Sequence, residues 1–171
     1  MDYKTIANDR IVEEEIKKSR FICHLKRISN EEEGREYIAQ IKKKHHKANH
    51  SCSAMIVGDD GQIKRSSDDG EPSGTAGVPM LTVLEKQGLT NVVAVVTRYF
   101  GGIKLGAGGL IRAYSGSVAH AIEEIGRVEI KELAGLIVKL TYSQYQVFSN
   151  FLEKEGLCMT NIRISFGNII M

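Results

Sequence analysis

The chain has 171 residues, 42% of them hydrophobic, with 17 glycines and only 2 prolines. That is the make-up of one folded domain, or of one domain and a small second one, and it excludes a disordered, collagen-like or low-complexity chain. Lysine and arginine total 23 against 21 acids, a net charge of +2 that carries no global nucleic-acid signature. No apolar run approaches the roughly 18 residues of a membrane span. The amino-terminal stretch MDYKTIANDRIVEEEIKKSRF lacks the apolar centre of a signal peptide. Three widely spaced cysteines, Cys23, Cys52 and Cys158, read as reduced thiols. The expectation is a cytoplasmic protein with no membrane partner.

In chain order, Ile11 to Ile28 reads as a strand pair about a Lys17-Lys18-Ser19 turn. Asn30 with Glu33 three residues on predicts a helix from Glu31, with acids in its first turn and lysines in its last. Its apolar stripe is Tyr37, Ile38 and Ile41. Ser51 to Val57 and Gln62 to Arg65 are strands about the Gly58–Gly61 turn. A polar loop, Ser66 to Gly77, leads into a helix through Met80, Leu81, Val83 and Leu84, with Ser73 or Thr75 as its cap. Asn91 to Tyr99 is nearly all apolar and β-branched, which fits a strand buried on both faces. A glycine-rich turn then opens a helix with a stripe of Ile111, Tyr114, Val118, Ile122 and Ile125, stopped by Gly126. Beyond it, Leu136 to Tyr142 reads as a strand, Ser143 caps a helix that ends at Gly156, and Asn161 to Phe166 is a further strand.

Twelve of the 17 glycines fall between Gly58 and Gly116, and two blocks stand out: SSDDGEPSGTAG (Ser66 to Gly77) and RYFGGIKLGAGG (Arg98 to Gly109). Charge follows them. Ile41 to His50 is basic without an acid, Asp59 to Thr75 is mainly acidic, and Arg98, Lys104 and Arg112 are unopposed. The second block places a glycine turn at a helix start, where free N–H groups and the dipole favour an anion. Walker A and dinucleotide fingerprints both fail there: Gly106 is followed by Ala107, and Ile111 stands where Gly or Ala is required. The first block could hold a carboxylate pair or a Mg²⁺–phosphate site, or it could be turn chemistry alone. His45, His46, His50 and Cys52 do not complete a zinc set. No catalytic residue, metal or cofactor is assigned.

The segments KANHSCSAMIVG, SSDDGEPSGTAGVPML and VVAVVTRYFGGIKLGAGGLIRAYS resemble the Impact family, specifically its bacterial YigZ-like branch. The resemblance implies an α+β protein of two domains. The first, 1–131, would take the ribosomal protein S5 domain 2-like fold, also called elongation factor G domain IV-like. The second, 135–171, would be an incomplete ferredoxin-like unit similar to elongation factor G domain V, holding little more than one βαβ unit of the two required. The signature positions it carries over are His50, Asp68, Asp69, Gly70, Glu71, Pro72, Ser73, Gly74, Thr75, Ala76 and Gly77 in the first block. In the second they are Arg98, Tyr99, Gly101, Gly102, Lys104, Gly106, Gly108, Gly109 and Arg112. Eukaryotic members of the family regulate translation, in part through an amino-terminal domain without a counterpart in this sequence.

Two functions follow as expectations. One is a non-enzymatic, translation-linked regulator that contacts RNA, the ribosome or a translation-associated protein through the Arg98–Lys104–Arg112 face. The alternative is an enzyme acting on a phosphate-containing small molecule, with Asp68, Asp69 or Glu71 as metal or proton-transfer groups. The two blocks are expected to line one concave surface. The apolar end Ile169-Ile170-Met171 is expected to be an exposed edge that drives homo-oligomerisation.

Overall fold

The computed structural model describes residues 2–157 together with the strands Arg163–Ser165 and Asn168–Ile170. The chain divides into two compact units, Met1–Glu132 and Leu133–Met171. In the first, β1 (Tyr3–Ile6), β2 (Arg10–Ile16) and β3 (Ser19–Arg27) precede α1 (Glu31–Lys44). Then come β4 (His50–Val57), β5 (Ile63–Ser67), α2 (Gly77–Lys86), β6 (Val92–Tyr99), α3 (Gly106–Ile125) and β7 (Arg127–Ile130). Five strands form one antiparallel sheet in the order β2-β3-β6-β4-β5.

The central strand β6 explains the layering. Its Val92, Ala94 and Val96 join Met80 and Leu84 of α2 and Leu110, Tyr114, Val118 and Ile122 of α3 in the larger core. Val93 and Val95 face the other way, against Ile41 of α1. A strand covered by helices on both faces is apolar on both, as β6 is from Val92 to Val96, and full burial of each valine contributes about 1.5–3 kcal/mol. The α1 start is as its sequence requires: Asn30 Oδ1 accepts from the Glu33 backbone N–H at 2.9 Å, while Glu33 accepts from the Ser29 N–H at 2.8 Å.

Two expectations for this unit change. The α3 stripe runs through Leu110, Ala113, Tyr114, Ser117, Val118, Ala121 and Ile122, so Ile111, one residue round the helix, stays 41% exposed. Neither Ser73 nor Thr75 caps α2. The residue before it is Ala76, and Thr75 Oγ1 instead bonds the Pro72 carbonyl at 2.6 Å. At the ends of this unit β1 pairs antiparallel with β7, and Ile6 is fully buried.

The second unit holds β8 (Lys139–Thr141), α4 (Tyr142–Lys154), β9 (Arg163–Ser165) and β10 (Asn168–Ile170). Both β8 and β9 pair antiparallel with β10, which lies between them. Ile169 is thus paired with Leu140 on one side and Ile164 on the other, so Ile169 and Ile170 lie in a central strand rather than at an exposed edge, while residue 171 lies outside the described residues. The expected strand from Leu136 is shorter, because Leu136 and Ile137 are 90% and 87% exposed in irregular chain. Thr141, not Ser143, precedes α4, and its N–H donates to Gln144 Oε1 at 3.0 Å. Of the expected strand Asn161–Phe166, residues 161–162 and 166 lie outside the described residues, as does Cys158. Cys23 and Cys52 are free and buried. Among the described residues no helix is long and apolar enough to cross a membrane.

Candidate functional site

The β6 alternation that buries Val92, Ala94 and Val96 delivers Arg98 to the same face. In register it lies between Phe21 of β3 and His50 of β4. A cation placed there needs a counter-ion, and the first glycine block supplies it. Glu71 Oε1 accepts from Arg98 Nη1 at 2.8 Å and from the Tyr114 hydroxyl of α3 at 2.7 Å. Its other oxygen, Oε2, is 3.7 Å from His50 Nε2. The Arg98 and Glu71 side chains are 6% and 3% exposed, so the pair is a core element. Ser19 Oγ accepts from Arg98 Nη2 at 3.4 Å and from the Gly101 N–H at 3.3 Å. Burial raises the Tyr114 hydroxyl well above its usual range and pushes the Cys52 thiol up to about 12. Both therefore stay protonated near neutrality, and Cys52 donates to the Asp68 carbonyl at 3.0 Å.

The two aspartates of the block are engaged as well. Asp68 accepts from the backbone N–H groups of Gly74, Ala76 and Gly77 at 2.9, 3.1 and 2.8 Å, and so caps α2 from eight residues upstream. Burial pushes its carboxyl up, but the three N–H groups outweigh that and hold it low. Asp69 accepts from Lys42 Nζ at 2.6 Å and from the Ser51 N–H at 2.7 Å. There too burial is outweighed, first by Lys42, and the carboxyl lies below its usual range. The Asp69 carbonyl bonds His50 Nδ1 at 2.9 Å. Among the described residues no group of three or more His, Cys, Asp or Glu side chains is placed to hold a metal.

The second block behaves differently beyond Arg98. Gly101 packs against the β2–β3 turn so closely that a Cβ there would overlap the Lys18 carbonyl and come within 2.7 Å of the Lys18 Cβ. Gly102, Lys104, Gly106 and Gly108 are exposed, with Gly109 half-buried. The α3 start has neither a side-chain cap nor an acid in its first turn. The first N–H groups of a helix have no intrahelical partner, and Gly106, Ala107 and Gly108 are exposed there. Exposed Arg112 leans back along that turn, its Nη1 reaching 3.5 Å from where a Gly108 Cβ would stand.

These blocks fall within the Impact N-terminal domain, which matches residues 17–122, more than half of the chain. The chain belongs to the Impact family. It is 51% identical over 150 residues to the IMPACT family member YvyE of Bacillus subtilis strain 168, covering 88% of this chain and 69% of that one. Similarity to the IMPACT family member YigZ of Escherichia coli K12 is 42% over 135 residues, 78% of this chain and 66% of that one. A crystal structure of a hypothetical protein superposes with a TM-score of 0.73 at 35% identity, covering 99% of this chain and 82% of that chain.

The Impact-family signature thus separates into three sets. His50, Glu71 and Arg98 meet in the core with Tyr114, Cys52 and Ser19, while Asp68, Asp69 and Pro72 to Gly77 build the turn into α2. Lys104 and Arg112 stand outside, on the α3 start. The expected Arg98–Lys104–Arg112 face therefore loses Arg98, which β6 carries inward. Tyr114 and Ser19 escaped the sequence reading. The signal for Tyr114 was its place on a buried helix stripe, where a phenol needs an acceptor.

Proposed function

We propose that this chain is a translation-linked regulator that acts by binding, with RNA as its ligand at the α3 start. One observation carries the reading. Every acid of the first block is engaged by a partner within the first unit, whereas Lys104 and Arg112 are exposed beside an α3 start that has no side-chain cap, with no acid among residues 98–122. Oriented N–H groups beside fixed cations are what a phosphate backbone requires. The carboxylates that phosphate-ester chemistry would draw on, Asp68, Asp69 and Glu71, are each already engaged by partners of the fold. Family membership supports the translation link, since the resemblance implies regulators of translation among eukaryotic members.

On the same reading the first unit takes the ribosomal protein S5 domain 2-like fold, and the protein works in the cytoplasm. The second unit is ferredoxin-like in part, a reading supported by β8 and β9 flanking an antiparallel β10. The test is fluorescence anisotropy of a labelled RNA oligonucleotide with the wild type and with Lys104→Ala/Arg112→Ala. The double variant should bind at least about tenfold more weakly at 0.1 M salt while melting like the wild type. Equal binding by both proteins, or none by the wild type, would overturn the reading.

A further inference from the structure

Phe100 is an aromatic left in solvent, 46% exposed, at the point where the buried strand β6 gives way to the glycine turn. It is not loose. Its backbone N–H donates to Asn49 Oδ1 at 2.8 Å, and the Asn49 N–H in turn donates to the Arg98 carbonyl at 3.0 Å. The next residue, Gly101, is wedged against the Lys18 backbone and bonded to Ser19. The ring sits with the Arg98 guanidinium 5.4 Å from its centroid, and that guanidinium is anchored by Glu71 and lies 5.5 Å from the Phe21 ring. The buried ion pair therefore positions an exposed aromatic face.

What surrounds this ring is basic. The β2–β3 turn brings Lys18 against Gly101, with Lys17 next to it in that turn, the α1–β4 connection places Lys47 two residues from Asn49, and Lys104 follows four residues after Phe100. All four are exposed, and among the described residues none has an acid within ion-pairing distance. Of the acids at this end of the sheet, Glu13 binds Arg20 at 2.7 Å and Asp69 binds Lys42 at 2.6 Å, while Glu15 is exposed. A pre-oriented aromatic face with exposed lysines on the adjoining segments matches one ligand chemistry, a nucleic-acid strand whose bases are free to stack while its phosphates meet the lysines. A duplex keeps its bases stacked on each other and offers the ring nothing.

Resting on the RNA reading above, we infer that the strand bound is single-stranded RNA and that Phe100 is its base-stacking platform. Pre-orientation by Arg98 lowers the ordering cost of the ring, so its removal shows in full. The probe is a fluorescein-labelled oligouridylate of about 12 nucleotides, compared with the same strand annealed to oligoadenylate. Phe100→Ala and Phe100→Leu should each weaken single-strand binding by about 5- to 150-fold, the range of one lost base stack. Phe100→Trp should bind at least as tightly as the wild type. Because the chain has no tryptophan, its indole emission should be quenched saturably as the strand is added.

Affinity retained in Phe100→Leu, or equal affinity for single strand and duplex, would overturn the inference. If those results came with a loss in Lys104→Ala/Arg112→Ala, the RNA reading would stand without the stacking site. Absence of binding to either oligonucleotide would remove both. A shift in melting temperature common to Phe100→Ala and Phe100→Trp would mark a packing role, and that too would overturn it.

Discussion

Removing the Glu71 carboxylate should be among the most damaging single changes in the first unit. Its Oε1 serves two buried donors, Arg98 Nη1 at 2.8 Å and the Tyr114 hydroxyl at 2.7 Å, in surroundings where both ions are at least 94% covered. Glu71→Ala leaves a buried guanidinium without a counter-charge, and its Nε has no partner in the wild type either. Breaking such a pair from one side costs about 3–5 kcal/mol. With a urea dependence of about 2 kcal/mol per molar, that is a fall in midpoint of about 1.5–2.5 M at unchanged slope. Glu71→Gln keeps an oxygen for both donors and should lose less. Arg98→Met alone strands the carboxylate, whereas Arg98→Met with Glu71→Ala removes both charges. The double variant should therefore cost less than the sum of the singles by at least about 2 kcal/mol. The assay is urea unfolding followed by far-ultraviolet circular dichroism. A cost below about 1 kcal/mol for Glu71→Ala, or simple additivity in the cycle, would refute the reasoning, because the ions would then be effectively solvated.

The remaining expectations concern pH and backbone packing. His24 is 1% exposed, both its ring nitrogens lack a partner, and burial, aided by His45 and Lys44, lowers its pKa to about 4. The unfolded chain takes up that proton near pH 6.5, so stability should be level above pH 6.5 and fall by up to about 3 kcal/mol towards pH 4. The matched variant His24→Leu should lack that part of the acid loss in urea titrations run at several pH values. An identical pH slope in both proteins would count against it. Gly101→Ala should cost about 3 kcal/mol or more through collision with Lys18, whereas Gly116→Ala should gain about 0.5–1 kcal/mol. Position 116 is an exposed helical site with nothing within 4 Å of an added Cβ. Equal melting temperatures for the two alanine variants would show that the tight approach at Gly101 is not needed.

Local signals were legible and long-range ones were not. Asn30 with Glu33, the Lys17-Lys18 turn and the apolar run of β6 depend on neighbours within a few residues, and each stands where its chemistry places it. The β1–β7 pair joins Tyr3 to Ile130, a contact that no local pattern announces in two four-residue strands. Asp68 reads as a turn residue until the fold brings Gly74, Ala76 and Gly77 round to it. Glu71 reads as a surface acid in a polar loop, yet β6 held the clue: Val92, Ala94 and Val96 face the core, and the same alternation carries Arg98 inward. An arginine on a core face demands an acid from elsewhere. Ile111 was misassigned because the stripe through Leu110 and Tyr114 is offset from it by one residue.

The central claim is that the exposed start of α3 binds RNA phosphates through Lys104 and Arg112. Its most direct test is the salt dependence of oligouridylate binding from 50 to 200 mM for the wild type and Lys104→Ala/Arg112→Ala. For single strands the logarithmic slope is about 0.7 per phosphate neutralised. Loss of both side chains should therefore flatten the wild-type slope by about 1.4 while weakening binding at every salt concentration. Parallel lines for the two proteins would contradict the account, because they would place the phosphates somewhere other than Lys104 and Arg112.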